Sequence, residues 1–305
     1  MAARRKRALG RGMADLVEGS FSSIVDPHAA RMHAVPPRPM EADTRHEADT
    51  RHKADTRHEN DIPPVERAPL PAPSRQQTQR QPYMAPAPAE IPALAPLVEV
   101  VCISSGKGGT GKSVLASNLG VALAATSRVT ILDADLGLAN IHILFNLTPR
   151  YNAAHLISQE RTMEEVLLRG PRDVGVIPGG SGIPELASLT ESMLKTLISG
   201  IATLERSTDT LIIDMPGGLD RQSLLFLLAA DRVLVVTTED ITAMTDAYAV
   251  IKTIFTQRPQ ASVALIVNRA RSQEAGLETY QKVAHVARKF LGRELALAGI
   301  VPFDE

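Results

Sequence analysis

Only one cysteine, Cys102, occurs in the 305 residues, which excludes any disulfide within the chain. Tryptophan is absent and aromatic residues make up 3% of the sequence, so a core has to be assembled from Val, Ile, Leu and Ala. No apolar run approaches the length of about 18 residues that a membrane-spanning helix requires, and the N-terminus lacks the apolar stretch of a signal peptide. The expectation is a soluble, cytoplasmic protein. Charge of one sign is also missing: the net charge is −1, which removes any global attraction to nucleic acid or to an anionic membrane.

Proline and histidine are distributed unevenly. Fourteen of 21 prolines and five of eight histidines precede position 97, which separates residues 1–96 from the rest as a Pro-rich, disordered tail. Residues 42–59 repeat ADTRHE, ADTRHK, ADTRHE. The repeat histidines His46, His52 and His58 are metal-ligand types, but their even spacing reads better as a duplicated solvated linker. The first eleven residues carry five basic side chains and no acid, enough for a weak nucleic-acid or lipid contact.

Residues 97–305 read as one α/β domain. Short runs rich in β-branched residues, LVEVVCIS (97–104), RVTILD (128–133), DVGVIP (173–178), DTLIID (209–214), DRVLVVTT (231–238), SVALIVN (262–268) and LAGIVP (297–302), alternate with helical segments. The runs are apolar throughout instead of alternating, as strands are when a parallel sheet is covered on both faces. In ITAMTDAYAVIKTIF, Ala247, Val250, Ile251 and Ile254 fall on one helical face. The fold class is therefore a doubly wound, mostly parallel sheet.

Immediately after the first strand, Gly106, Lys107, Gly108, Gly109, Thr110, Gly111, Lys112 and Ser113 satisfy G-x-x-x-x-G-K-[ST], followed by Val114 in a helical segment. Strand, glycine turn and helix N-terminus together aim backbone N–H groups and a helix dipole at one anion. Lys112 would reach the outer phosphates of a nucleotide and the Ser113 hydroxyl would ligate Mg²⁺. In such sheets ligands lie beyond the carboxyl ends of the strands. Asp133 and Asp135 close one strand and Asp214 closes another, so three carboxylates converge near the phosphates. Each acid alone also suits a helix cap.

The motif KGGTGKS resembles the deviant Walker A loop of the MinD/ParA ATPases, a branch of the P-loop NTPases. The resemblance implies ATP and Mg²⁺ as ligands and an ATP-bound homodimer in which Lys107 crosses to the partner's phosphates. DADLGLAN, VIPGGSGIPELASL, LIIDMPGG, TTEDITAMTDAYAVIK and LIVNR are similar to the FlhG/FleN flagellar-number regulators across residues 97–305. Carried over by motif, Asp135 orients the attacking water, Asp133 is a switch residue near Mg²⁺, and Asp214 is the Walker B acid. Asn268, followed by Arg269, contacts the adenine edge, with Pro302 near the base. Catalysis would rest on Lys107, Lys112, Asp135 and Asp214, with slow, partner-stimulated hydrolysis of ATP to ADP and phosphate. Implied partners are an FlhF-type GTPase, a flagellar transcription activator or C-ring proteins, with recruitment to a cell pole.

Several features depart from that pattern. Val114 stands where a second hydroxyl or an amide is common, and the acid's turn reads MPGG. The sequence carries no amphipathic C-terminal membrane helix after VPFDE. RALGRGMADLVEG (7–19) resembles the tail with which ParB proteins engage ParA-type ATPases, implying a ParA-like partner for this arm. The competing function is a ParA-like DNA or cargo partition ATPase; Arg271, Lys282, Arg288 and Lys289 would serve it, but acids are interleaved with them and a solvated helix face is the better reading. A metabolic P-loop enzyme lacks an acceptor cluster, and a degenerate binding module is at odds with the two lysines and three aspartates.

Overall fold

A computed structural model describes residues 98–136, 138–180 and 189–304. The expected tail, its segment 7–19, the repeats at 42–59 and the repeat histidines lie outside the described residues. In chain order the strands are β1 (Glu99–Ser105), β2 (Val129–Asp133), β3 (Leu168–Arg169), β4 (Gly175–Ile177), β5 (Thr210–Gly217), β6 (Arg232–Thr237), β7 (Val263–Ala270) and β8 (Ala296–Pro302). The helices are α1 (Lys112–Leu123), α2 (Ile141–Leu144), α3 (Ala153–Ile157), α4 (Met163–Val166), α5 (Glu191–Ile201), α6 (Arg221–Ala229), α7 (Ile241–Gln257) and α8 (Gln273–Leu291).

The eight strands form one sheet in the order β3-β4-β2-β5-β1-β6-β7-β8, parallel except for the β3–β4 pair. All seven anticipated runs contain a strand, and β3 is the element that sequence reading missed. The run at 173–178 shortens to β4, because Pro171–Asp173 forms a 3-10 turn in which Arg172 and Asp173 take positive φ. The chain moves from β1 outward to β2 and later returns past β1 to β6, so β1 lies at the topological switch point with β5 and β6 beside it.

Successive side chains of each strand enter opposite layers, which is why the runs are apolar without alternation. Cys102, Leu132 and Ile213 face one layer, packed with Ala247, Val250, Ile251 and Ile254 of α7 and with Val283, Ala284 and Ala287 of α8. Ile103, Ile131 and Ile212 face the other, under Ala116, Leu115 and Leu119 of α1. The α7 face expected from sequence is thus the buried one. Burial also holds the Cys102 thiol protonated, far above its ordinary range.

Phe226 of α6 is 1% exposed and belongs to the larger layer, where its carbonyl accepts a bond from Cys102 Sγ at 3.5 Å. Phe226→Ala is expected to cost about 3–5 kcal/mol, because the rigid sheet beneath collapses poorly into the space left. Urea unfolding followed by circular dichroism measures that loss as a lower midpoint at unchanged slope.

Candidate nucleotide and metal site

The loop from Gly106 to Ser113 is shaped by close approach as much as by flexibility. A Cβ on Gly106 would lie 2.3 Å from backbone and side-chain atoms of Asp246 in α7, so only glycine lets β1 pass that helix. Gly109 and Gly111 take φ of 79° and 87°, the left-handed region that side chains disfavour. Ser105 Oγ donates to the Lys107 carbonyl at 2.6 Å and pins the loop's first turn. Helix α1 starts at Lys112 with no side-chain cap and no acid in its first turn. Its leading N–H groups are thereby left for an anion.

Lys112 is 8% exposed, and burial lowers its pKa while Asp214 and Asp135 raise it. Asp133 and Asp214 are register partners on neighbouring strands, each 1% exposed. Burial lifts the Asp214 carboxyl to about 7; the Ser113 hydroxyl bond opposes that lift and the Asp133 charge adds to it. Asp133 rises to about 6, again through burial, opposed by the N–H groups of Ile141 and Asn140.

Asp133 takes the capping role its sequence position allowed and leaves one carboxylate oxygen over. Its Oδ2 accepts from Asn140 N at 2.8 Å and from Ile141 N at 2.9 Å, capping α2. Its Oδ1 is buried with no partner in the protein, and so is Oδ1 of Asp214. Two orphaned oxygens on paired carboxylates, one of which is bonded to the Ser113 hydroxyl, fit a hydrated Mg²⁺, which takes few protein ligands and keeps waters and phosphate oxygens. Among the described residues no cluster of three or more His, Cys, Asp or Glu side chains forms a closed metal cage. Asp135 is half-buried at the rim, its Oδ1 accepting from Leu138 N at 3.2 Å.

Lys107 is not gathered with these groups. Its Nζ donates to Asp240 Oδ2 at 2.8 Å and to Thr242 Oγ1 at 2.5 Å, at the start of α7. Bonding to Lys107, foremost, and to Thr242 holds the Asp240 carboxyl down at about 2. Asp240 and Thr242 were not singled out from sequence; the only signal there is an Asp directly before a helical segment, which by itself suggests no more than an N-cap. Asp240 is that cap as well, accepting from Thr242 N at 2.8 Å.

An open cleft of about 670 Å³ runs from Lys107 past Thr110 and Asp240 to Arg269, Arg271 and Phe303. Arg269, at φ 55°, lies with its guanidinium carbon 5.4 Å from the Phe303 ring centroid. Arg271 is tied to Glu239 through both its backbone N and its Nε, at 2.7 and 2.6 Å. Pro302 is exposed at the end of β8, in register with Ala270. Asn268 is buried, its amide turned to the Thr110 carbonyl at 2.8 Å. Val114 is exposed on the first turn of α1. Phe303 was also not singled out from sequence, since a lone aromatic after a strand carries no periodic signal.

Known proteins resemble this chain in sequence and in fold. The chain is 35% identical over 209 residues to the antiactivator FleN of Pseudomonas aeruginosa, covering 68% of this chain and 75% of that one. It is 33% identical over 198 residues to the flagellum site-determining protein YlxH of Helicobacter pylori, covering 62% and 64%. Among solved structures, the septum site-determining protein MinD of Pyrococcus horikoshii, complexed with Mg-ADP, superposes with a TM-score of 0.54 at 24% identity over 68% of this chain and 82% of that one. Residues 101–305 match the CobQ/CobB/MinD/ParA nucleotide binding domain. With the glycine loop at the sheet's switch point and the paired strand-end aspartates already placed, that match over two thirds of the sequence makes the chain a member of the CobQ/CobB/MinD/ParA nucleotide-binding family.

Proposed function

We propose that the protein is a Mg²⁺-dependent ATPase that dimerises when ATP is bound and regulates the number or placement of flagella. The observation that carries this reading is the meeting, at the carboxyl ends of β1, β2 and β5, of an uncapped helix N-terminus with two buried carboxylates whose free oxygens have no partner. Lys112 and the loop N–H groups hold the phosphates, while Ser113, Asp133 and Asp214 hold the cation. Mg²⁺, when bound, neutralises charge on the phosphate oxygens. Asp135, half-buried beside Lys112, orients the attacking water. Arg269 and Pro302 flank the base in the open cleft.

Dimerisation is supported by the direction of Lys107, which leaves its own phosphate cradle free and lies 33% exposed at the rim. Leu138, Leu219 and Ile241, which follow β2, β5 and β6, are exposed apolar side chains beyond the same carboxyl ends, and Val114 follows β1. A second copy placed there would cover them and receive Lys107 at its phosphates.

The flagellar assignment rests on the relatives, an antiactivator and a flagellum site-determining protein. It points to an FlhF-type GTPase, a transcription activator or C-ring proteins as partners, to the cytoplasm, and to a cell pole as the place of action. No helix among the described residues is long and apolar enough to cross a membrane. The arm at 7–19 would add a contact to a ParA-like partner. The DNA-partition alternative loses two of its cations, since Arg271 is paired with Glu239 and Arg288 with Glu294.

Asp135→Ala tests the assignment. With ATP and Mg²⁺ the variant is expected to accumulate as a dimer by light scattering, with phosphate release slowed by about 100-fold, the scale of losing a positioned base or water ligand. Monomers that release phosphate at the wild-type rate would refute it.

A further inference from the structure

We propose that Asn268 is a positioning residue for the phosphate loop, fixing the direction of the Gly111 N–H from the far end of β7. This rests on the nucleotide-binding reading above. Asn268 is 8% exposed, and its Nδ2 donates to the Thr110 carbonyl, 158 residues earlier in the chain, at 2.8 Å. Thr110 is itself 2% exposed, so this carbonyl has no solvent to turn to.

A peptide unit is planar and trans, so its C=O and the following N–H point in opposite directions. Anchoring the Thr110 carbonyl on Asn268 therefore turns the Gly111 N–H away from Asn268. That N–H belongs to the residue at the N-cap of α1, immediately before Lys112. The contact also explains the residue at 111 beyond its φ of 87°: a Cβ there would lie 2.3 Å from Asn268 Nδ2. Glycine at 111 and the amide at 268 form a matched pair.

The other end of the amide is engaged as well. Oδ1 of Asn268 accepts from Arg269 N at 3.0 Å, supporting the left-handed turn at Arg269 that sets its guanidinium over Phe303. One side chain thus braces the base side of the cleft and the phosphate loop together. Each amide group keeps the capacity for one more hydrogen bond, so the brace and a contact to the base edge are compatible.

The experiment compares wild type, Asn268→Ala and Asn268→Ser in the full chain, by titration calorimetry with Mg²⁺ and ATP, Mg²⁺ and inosine triphosphate, and inorganic tripolyphosphate. Loss of the brace is expected to weaken all three by about tenfold, the scale of one buried hydrogen bond, tripolyphosphate included although it has no base. Hydrogen exchange at residues 109–112 of the ligand-free protein should quicken in both variants. Serine keeps a polar group but cannot reach Thr110, so it decides the matter where the alanine variant does not fold. Wild-type tripolyphosphate affinity and wild-type exchange in both variants would overturn the proposal, whatever becomes of the base preference. The exchange measurement needs no ligand: a wild type that binds none of the probes would refute the ATPase reading and still leave exchange to decide the role of Asn268.

Discussion

Lys107→Ala is expected to abolish ATP-driven dimerisation and to slow turnover by at least about 10³-fold, the lower end of the effect of a cation supplied in trans to a transferring phosphoryl group. The argument starts from where this lysine is. It is held at the start of α7 by Asp240 and Thr242 and is absent from its own cradle, where Lys112 already serves. The contact to Asp240 is solvent-exposed on both sides, so releasing the ammonium costs little. Phosphate release and light scattering with Mg²⁺-ATP read both effects. ATP binding by the isolated chain should survive within a few-fold, in contrast with Lys112→Ala, which loses it. Asp240→Asn, by weakening the hold on Lys107, is expected to shift dimerisation to lower ATP concentration. A Lys107→Ala chain that dimerises and hydrolyses like wild type would remove the basis for an exchange of lysines between subunits.

Asp214→Asn is expected to make the ligand-free protein more stable and the loaded protein inactive. Asp214 carries its carboxyl at about 7 in the fold, well above its ordinary value, so between those pH values the native state binds more protons than the unfolded chain. Stability therefore falls as pH rises through that window, and the full penalty, on the order of 4 kcal/mol, is present above it. Asp133, raised to about 6, tilts the profile the same way. Asparagine removes the charge while keeping the shape. At pH 8 without Mg²⁺ or nucleotide the melting temperature should rise by about 5 °C or more, and the decline between pH 5 and 8 should flatten. Mg²⁺-ATP should stabilise wild type but add little to the variant, and phosphate release should drop by at least about 100-fold. A variant less stable than wild type at pH 8 would show that the buried carboxylate is compensated in the fold.

Much of this was legible in the sequence because it is local. Seven strands announce themselves as short β-branched runs, and the glycine loop is contiguous from Gly106 to Ser113. Strand order is different in kind: nothing in LVEVVCIS states that β5 and β6 will flank it, since that depends on crossovers elsewhere. β3 was missed because two residues, Leu168 and Arg169, are too short for any period to show. The three aspartates could be named, but not that Asp133 divides its oxygens between a helix cap and an open coordination position. Lys107 could be recognised as surplus, yet its hold on Asp240 spans 133 residues and leaves no trace in spacing.

That division at Asp133 has a mechanical corollary. A carboxylate is a rigid plane, so whatever grips its open oxygen also tugs the two backbone amides hanging from the other. Those amides lead into α2, a single turn whose Ile143 and Leu144 stand out into solvent at 64% and 45% exposure. A cation held at that open oxygen would thereby be joined, through one side chain, to a greasy knob on the outside of the molecule.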